Sequence, residues 1–338
     1  MNIFVTGHKG YIGAHLVSVL KQNGHKVTGC DINLFTGCEW EEFTKPDNEL
    51  GKDVRDLTQK DLEGFDCIMH LAAISNDPMG DLNEDLTYSI NQNGSIRLAK
   101  IAKSAGVPRF LLASSCSAYG KGETLDLDEN AKLNPVSAYA ISKINSEREI
   151  SKLADDSFSP AFLRNATAYG YSPMLRIDLV VNNLLGCAFT KGEIRIMSDG
   201  TPWRPLIHCK DIANAFLAFA LAPKGKIHNR AVNIGANSEN YQVKDIADKV
   251  NKLMPEANIV FTGEVGADPR NYRVKFDLLY DLLPDFKLEY NLDKGMDELF
   301  QKFKEHNFSV SDFDGDKFVR LRTLKSRLSQ IERLERIK

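Results

Sequence analysis

Tyr139 and Lys143 lie four residues apart in the helical-looking segment Ser137-Ala-Tyr-Ala-Ile-Ser-Lys143. Side chains at positions i and i+4 share one face of a helix, so the phenol and the ammonium group become neighbours. A nearby cation stabilises a phenolate, and Lys143 is therefore expected to lower the pKa of Tyr139. Such a tyrosine can exchange a proton with the hydroxyl of a sugar or alcohol. The same spacing also occurs on ordinary exposed helices, so other features must support the chemistry.

A glycine-rich loop near the start of the chain is the second feature with a chemical meaning. It stands between a short apolar strand and a helix, the context in which such loops bind dinucleotides. Gly7 permits the tight turn, Gly10 lets the backbone approach a pyrophosphate, and Gly13 lets the helix pack closely on the sheet. The backbone of Tyr11 and Ile12 then opens a helix whose N-terminus faces the phosphates.

Asp31 follows the second predicted strand and bears on the choice of cofactor. A carboxylate at this position accepts hydrogen bonds from the ribose hydroxyls of adenosine and repels a 2′-phosphate. This favours NAD over NADP. Lys9, a cation in the glycine loop, could tolerate that phosphate and leaves NADP open as the alternative.

Alternating strand and helix patterns predict the elements that position these residues. Strands are predicted at 2–6, 25–30, 67–71, 110–114 and 161–164, and helices at 11–22, 84–104, 136–154 and 316–336. This order predicts an α/β fold, a Rossmann-like doubly wound parallel sheet. Segments 206–221 and 231–234 are expected to return to the sheet as strand, helix and strand.

Two domains follow from this arrangement. Residues 1–165 with 206–235 form a predicted NAD-binding domain, and residues 166–205 with 236–338 form a smaller C-terminal α/β substrate domain. The second domain should cover the carboxyl ends of the strands, where open α/β sheets bind ligands. The last helix is expected to pack against its own domain.

Composition narrows the class of protein. The 338 residues carry a formal net charge of −3 with both signs interspersed, which argues against nucleic-acid and membrane-surface binding. The six cysteines are scattered without metal-ligand spacing, so a reduced cytoplasmic protein without a structural metal is expected.

Taken together, these motifs resemble the extended short-chain dehydrogenase/reductase family, in its NAD-dependent nucleotide-sugar epimerase and dehydratase branch. The resemblance implies adenine contacts from Asp53 and Val54 in Asp53-Val-Arg-Asp56. It also implies that Leu71, Ala72 and Ala73, in His70-Leu-Ala-Ala73, line the cofactor site. Asn91 matches an asparagine that braces neighbouring strands beside the cofactor.

The resemblance also assigns catalytic roles. Ser114-Ser-Cys-Ser-Ala-Tyr-Gly120 matches the segment that supplies a catalytic serine or threonine, and counting back from Gly120 selects Ser115 over Ser114 and Ser117. Tyr139 would take the proton of the sugar hydroxyl, Lys143 would hydrogen-bond the nicotinamide ribose, and Ser115 would steady the hydroxyl or ketone.

Substrate contacts are implied in the second half of the chain. Arg204 matches an arginine that grips the diphosphate of a nucleotide sugar, and Asn183 and Leu184 match a contact to the same group. Arg270 is a second candidate clamp, and for both arginines a surface salt bridge is the alternative. Ser75, Asp77, Ser115, Cys116, Ser117 and Thr167 complete the expected substrate contacts, although a plain loop turn explains residues 75–78 equally well.

Departures from the family pattern narrow the reaction. The family's 4,6-dehydratases place an Asp-Glu pair after the catalytic threonine, whereas Cys116 and Ser117 stand there in this chain. A cysteine takes part in proton transfer in the similar GDP-sugar epimerase-reductases, but a small core residue is the alternative role for Cys116. Thr167 replaces the usual asparagine, and Asn165, two residues earlier, is expected on the opposite strand face.

A 4-epimerase acting on a nucleotide sugar is therefore the first expectation. The alternatives are a dehydrogenase or ketosugar reductase with net turnover of NAD(P)H, and a cofactor-sensing protein without chemistry. The resemblance also implies a homodimer that forms through the helices at 84–104 and 136–154.

Overall fold

The computed structural model describes residues 1–75, 83–120, 126–262 and 270–335 of the chain. Its centre is a seven-stranded sheet with the order β10-β6-β5-β4-β1-β2-β3, and every pair of neighbouring strands in it is parallel. The strands of this sheet are β1 (Asn2–Thr6), β2 (Lys26–Cys30), β3 (Asn48–Leu50), β4 (Cys67–His70), β5 (Arg109–Ser115), β6 (Ser159–Asn165) and β10 (Arg230–Ile234). The predicted α/β fold with a doubly wound parallel sheet is thereby confirmed.

Helices lie on both faces of this sheet, as right-handed crossovers between parallel strands require. The helices of the chain are α1 (Gly13–Gln22), α2 (Glu84–Thr87, Tyr88–Gly94 and Ser95–Ser104 in one run, its middle segment π-helical), α3 (Ala138–Ser151), α4 (Val180–Lys191), α5 (Cys209–Leu221), α6 (Lys224–Ile227), α7 (Val243–Leu253), α8 (Asp277–Leu282), α9 (Leu292–Glu305), α10 (Val310–Asp314) and α11 (Arg320–Glu335).

The alternation of side chains along β1 explains why the large sheet has an apolar core on each face. Ile3 and Val5 pack into one apolar core together with α1 and α5, whereas Phe4 packs into the other together with α2. Successive residues of a strand point to opposite faces, so a strand that is apolar at every position is buried on both sides. The sheet is therefore covered on both faces, and only its ends are open to ligands.

The C-terminal part of the chain has an apolar core of its own, called the C-terminal core below. It contains a three-stranded sheet with the order β11-β9-β7 and a pair of parallel strands, β12 and β8. These strands are β7 (Thr167–Tyr169), β8 (Glu193–Ile196), β9 (Trp203–His208), β11 (Asn240–Gln242) and β12 (Asn258–Phe261).

The expectation that the strand at 206–208 returns to the large sheet is wrong. β9 pairs instead with β7, which follows β6 after a single residue, and with β11. Because β10 already occupies the outer side of β6, the chain at β7 leaves the large sheet and starts a sheet of its own. Of the segments predicted to return, β10 joins the large sheet and the helix α5 packs against it. Within the described residues, none of the helices combines the length and apolar character that a membrane crossing requires.

Candidate active site

A cavity of about 720 Å³ runs along the carboxyl ends of the parallel strands. Every residue that the sequence predicts to contact a ligand lines this cavity, with three exceptions. Asn91 and Cys116 lie outside its lining, and Asp77 lies outside the described residues. The motifs are far apart in sequence, and the fold brings them to one cleft.

The glycine loop forms one end of the cavity. Gly7 has a positive φ of 71°, and a Cβ atom on it would lie 2.7 Å from the backbone nitrogen of Ala72. A Cβ atom on Gly13 would lie 2.1 Å from the carbonyl oxygen of Gly7. A side chain at Gly13 would therefore collide with the backbone that directly follows β1, so α1 can start this close to the end of that strand only with glycine here. Gly10 meets only the Gly7 oxygen, at 3.1 Å, which leaves its cavity side open for a phosphate.

Tyr11 links this loop to residues adjoining the C-terminal core. Its hydroxyl donates a hydrogen bond to the Gly170 carbonyl over 2.6 Å, and Asn182 Nδ2 donates to the same hydroxyl over 3.2 Å. Ser172 Oγ in turn donates to the Tyr11 carbonyl over 2.8 Å. Burial raises the pKa of Tyr11 well above its ordinary value, so this phenol stays neutral.

Asp31 sits where β2 enters the cavity. Its carboxylate accepts hydrogen bonds from the backbone nitrogens of Lys9 and Asn33, at 3.2 and 2.9 Å. The Lys9 ammonium forms an ion pair with Glu49. A cation that is already paired is a poor partner for a 2′-phosphate, and the negative charge of Asp31 repels that group. Both observations fit NAD, and the residues of this end suit that cofactor.

Two anchors hold the end of β4 beside the cofactor site. Asn91 Oδ1 accepts from the Ile74 nitrogen at 2.8 Å, and its Nδ2 donates to the Ile74 carbonyl at 3.0 Å. Asn91 therefore fixes the segment that follows β4 and does not join neighbouring strands as expected. Because it lies outside the cavity lining, the expected cofactor contact at this position is corrected. His70 bridges Thr6 and Ser95 at 2.6 and 2.8 Å, and burial lowers the pKa of His70 to about 3, so its imidazole is neutral.

The predicted catalytic groups meet at the middle of the cavity. Ser115 ends β5, and Ser137 caps α3 by accepting a hydrogen bond from the Ala140 nitrogen over 3.2 Å. This cap starts the helix just before Tyr139 and places Lys143 one turn later. The Lys143 nitrogen lies 5.7 Å from the centre of the Tyr139 ring. Burial lowers the pKa of Lys143 to about 8, while the charge of Glu147 opposes that shift.

The three serines of the 114–117 segment have different surroundings. Ser114 donates its hydroxyl to the buried carboxylate of Glu147. Ser115 Oγ accepts from the Ser117 nitrogen over 3.1 Å and retains a proton for a ligand. The Ser117 hydroxyl lines the cavity and has no hydrogen-bond partner among the described residues. This arrangement favours Ser115 and Ser117 as ligand contacts over Ser114.

Cys116 points away from the cavity. Its thiol donates to the Arg164 carbonyl over 3.1 Å, and the side chain is 1% exposed. Burial raises the pKa of this thiol, which therefore stays protonated. Cys116 is a core residue in this structure, so the expected substrate contact at this position is corrected.

Asn165 was expected on the face opposite to Thr167, but both residues line the cavity. The expectation was wrong because residues two apart along an extended chain share a face, so alternation itself places Asn165 and Thr167 on the same side. Asn165 Nδ2 donates to the Ser114 carbonyl over 3.3 Å, and its Oδ1 has no partner among the described residues. Asn165 thus joins the candidate ligand contacts.

Arg204 and Asn183, the predicted diphosphate contacts, both line the cavity. Arg204 Nη1 donates to the carbonyl oxygens of Trp203 and Arg270, at 2.8 and 2.6 Å. Asn183 lies in the first turn of α4, and its Nδ2 donates to the Ile177 carbonyl over 3.2 Å. These contacts hold the Arg204 guanidinium in the cavity wall, where it can meet a diphosphate.

Arg176 is a buried cavity residue that the motif analysis did not find. Its Nη2 and Nε donate to the two carboxylate oxygens of Asp178, at 2.6 and 3.1 Å. Its Nη1 donates to Ser75 Oγ over 3.2 Å, within the same cavity. The spacing Arg-x-Asp was the only available signal, and it is too common to stand out.

Comparison with known proteins shows the family of this chain. Residues 3–235 match the NAD dependent epimerase/dehydratase family. The chain belongs to that family. Its cofactor is accordingly NAD, and its relatives convert nucleotide sugars.

Individual relatives show the range of this family. A Methanocaldococcus jannaschii protein, named provisionally as a UDP-glucose 4-epimerase, is 30% identical over 317 residues, which cover 90% of this chain and 99% of that protein. The UDP-glucose 4-epimerase of Corynebacterium glutamicum is 29% identical over 73% of this chain and 79% of its own. Among solved structures, TunA, an NAD dependent NDP-hexosamine 5,6-dehydratase, has a TM-score of 0.80 at 23% identity and covers 90% of this chain and 98% of its own.

Proposed function

We propose that the protein is a nucleotide-sugar 4-epimerase, which oxidises one sugar carbon and reduces it again within one turnover. The observation that carries this proposal is the set of acids around the cavity. Of the described residues that line it, the carboxylic acids are Asp31, Glu39, Asp53 and Asp178. Elimination of water needs an acid beside the reacting carbon, and the surroundings of these four groups argue against that role.

Each of the four carboxylates is engaged elsewhere. Asp31 accepts from the backbone next to the glycine loop, and Glu39 accepts from the Gly37 nitrogen over 2.7 Å. Asp53 binds Arg55, whose hydrogen bonds lower the pKa of that carboxyl. Asp178 is paired with Arg176. The groups that remain for chemistry beside Ser115 are hydroxyls, a phenol, an amide and an ammonium group.

These groups suit oxidation and reduction at a carbinol carbon. When bound, NAD supplies the acceptor for the hydride and returns that hydride later. Tyr139 takes the proton of the sugar hydroxyl, and the positive charge of Lys143 stabilises its phenolate. Ser115, with Ser117 beside it, holds the sugar oxygen as it changes from hydroxyl to ketone. The epimerase names of two relatives agree with this reaction.

Arg176 supports an uncharged sugar as the substrate. A carboxylate binds arginine best through two parallel hydrogen bonds, and Asp178 already occupies the Nε and Nη2 edge. The remaining Nη1 donates to Ser75 and can reach one further acceptor. A single donor of this kind suits a sugar hydroxyl.

The test is a product assay with identification of the cofactor. The purified protein is denatured and the released nicotinamide species is identified. UDP-, GDP-, CDP- and dTDP-sugars are then incubated with intact protein and followed by NMR and mass spectrometry. We expect an epimer of unchanged mass and no net change at the nicotinamide absorbance band. Loss of water, or steady production of free NADH, would overturn the proposal in favour of a dehydratase or a dehydrogenase.

A further inference from the structure

The helix α11 brings a buried cation into the cavity. Arg320, its first residue, is 3% exposed and lines the cavity. Its Nη2 donates to the Met174 carbonyl over 2.9 Å, and its Nη1 makes a long contact of 3.4 Å with the Lys317 carbonyl. Within the described part of the chain, its guanidinium forms no ion pair, and its Nε makes no hydrogen bond.

A buried charge without a counter-ion is unfavourable, so Arg320 needs an explanation. Burial and the nearby Arg176 cation lower the pKa of Arg320 to about 10. At neutral pH the side chain is nevertheless charged. Asp178 is paired with Arg176, and Asp178 and Glu39 attract Arg320 only from a distance, so the positive charge of Arg320 has no bonded counter-ion among the described residues. An anionic ligand would compensate it.

The position of Arg320 identifies which ligand that is. Its guanidinium lies 4.8 Å from the centre of the Phe35 ring. Phe35 and Met174 pack in one small apolar cluster with Ala14, the second residue of α1. Arg320 therefore lies near the first turn of α1, on the cavity that the glycine loop also lines. The phosphates of a dinucleotide bind at such a helix N-terminus.

We propose that Arg320 binds the diphosphate of NAD in the cavity that the glycine loop also lines. Arginine suits this role because its planar group can give two parallel hydrogen bonds to phosphate oxygens. The proposal rests on the NAD dependence of the family, and it is independent of the sugar and of the epimerase reaction.

The same helix also holds the loop that follows β2. Arg327, two turns after Arg320, donates hydrogen bonds to the carbonyl oxygens of Leu34 and Thr36. Thr323 Oγ1 lies 3.8 Å from Cys38 Sγ. Because residues 33–36 line the cavity, α11 fixes the edge over which the cofactor must pass. The helix therefore slows the release of NAD as well as strengthening its binding.

The test measures binding and not turnover. Wild type, Arg320→Gln, Arg320→Lys and Arg327→Gln are freed of nucleotide, and the affinities for NAD, ADP-ribose, adenosine and UDP are measured by calorimetry. Arg320→Gln should weaken NAD and ADP-ribose about tenfold, the usual effect of losing a charged hydrogen bond. Arg320→Lys should recover part of that loss, and Arg327→Gln should speed NAD dissociation. Arg322→Gln is the matched control, since Arg322 is an exposed arginine of the same helix whose hydrogen bond, among the residues that the structure describes, goes to the Asp314 carbonyl.

Three outcomes would overturn the proposal. Unchanged NAD affinity in Arg320→Gln would remove its basis. Weaker binding of UDP with unchanged NAD would assign Arg320 to the substrate. An equal loss for adenosine and ADP-ribose would mean that the loop is disturbed and that no phosphate contact is lost. Because no nucleotide-sugar substrate is present, none of these results depends on the reaction catalysed.

Discussion

Arg164 and Glu147 form a buried ion pair, with Nη2 of Arg164 2.7 Å from Oε2 of Glu147 and both side chains 7% exposed. Glu147 lies one turn after Lys143 on α3, and it also accepts the hydroxyl proton of Ser114, the neighbour of Ser115. The pair thus joins the helix that carries Tyr139 and Lys143 to β5 and β6. The proposed catalytic groups are therefore held in place by an ion pair between two residues that lie outside the cavity lining.

Glu147→Gln should shift the pH dependence of the enzyme. The pKa of Lys143 is lowered to about 8 by burial, so its charge is present below that pH and is lost above it. Since Glu147 raises the pKa of Lys143, its removal lowers that pKa further. The alkaline limb of kcat/KM should therefore move to lower pH, by about one unit. Unfolding in urea should also show a loss of about 3 kcal/mol, because Arg164 loses its partner.

The control for this variant is Glu149→Gln, on the same helix. Glu149 is exposed, and its ion pair within the described residues is with Lys152. The pH profile and the stability of the Glu149→Gln variant should therefore match those of the wild type. A Glu147→Gln enzyme that is merely less active at every pH would contradict the electrostatic role.

Tyr139→Phe should lower kcat about 10²- to 10⁴-fold, because the reaction loses its proton acceptor. NAD content after purification should stay as in the wild type, since the glycine loop and Lys143 are intact. Tyr280→Phe serves as the control, because its hydroxyl bonds the Gly235 carbonyl at 2.9 Å outside the cavity. Full activity of Tyr139→Phe would instead support the alternative that the protein binds the cofactor without catalysing a reaction.

Gly10→Ala and Gly13→Ala should separate cofactor binding from folding. A Cβ atom on Gly10 meets one backbone oxygen at 3.1 Å, so the fold should adapt while the phosphate site is narrowed. A Cβ atom on Gly13 would lie within 2.9 Å of three backbone atoms, which cannot move independently. We expect weaker NAD binding with a nearly unchanged melting temperature for Gly10→Ala. Gly13→Ala should lose about 1–3 kcal/mol of stability or fail to fold. Equal melting temperatures of the two variants would refute this distinction.

Arg204→Gln should raise the KM for the nucleotide sugar about tenfold or more, since a charged hydrogen bond to the diphosphate is lost. The amount of bound NAD should not change, because the glycine loop and Asp31 are intact in this variant. Steady-state kinetics with the substrate found in the product assay measures this effect. Arg148→Gln, an exposed position on α3, is the control. A KM equal to that of the wild type would leave Arg204 with a structural role only.

Local signals in the sequence were sufficient for the first half of the fold. Short apolar runs and the helices between them predicted six of the seven strands of the large sheet, missing only β3, and the glycine loop and Tyr139-x-x-x-Lys143 predicted the cavity. Each of these signals lies within a few neighbouring residues, where strand and helix periodicity apply directly. Dimerisation through α2 and α3 stays a prediction.

Contacts between distant segments could not be read from the sequence. Arg320 reaches Met174 and Phe35 across most of the chain, and nothing near residue 320 indicates those partners. The same holds for β9, whose pairing depends on which side of β6 is already occupied. For Arg320 and β9 the missing information was the position of another segment. Asn165 differs from them, because the period of two along a strand already places it on the same face as Thr167.

The buried phenol of Tyr11 has a consequence for how a sugar can react here. Its hydrogen bonds to Gly170 and Asn182 clamp the glycine loop to the opposite wall, and breaking them would leave buried polar groups unsatisfied at about 1–3 kcal/mol each. These bonds oppose any separation of the two walls at this point. In the proposed epimerisation, a ring that has to offer first one face and then the other would turn between walls that do not move apart here. We expect the freedom for that rotation in the single bonds of the substrate's own diphosphate linkage.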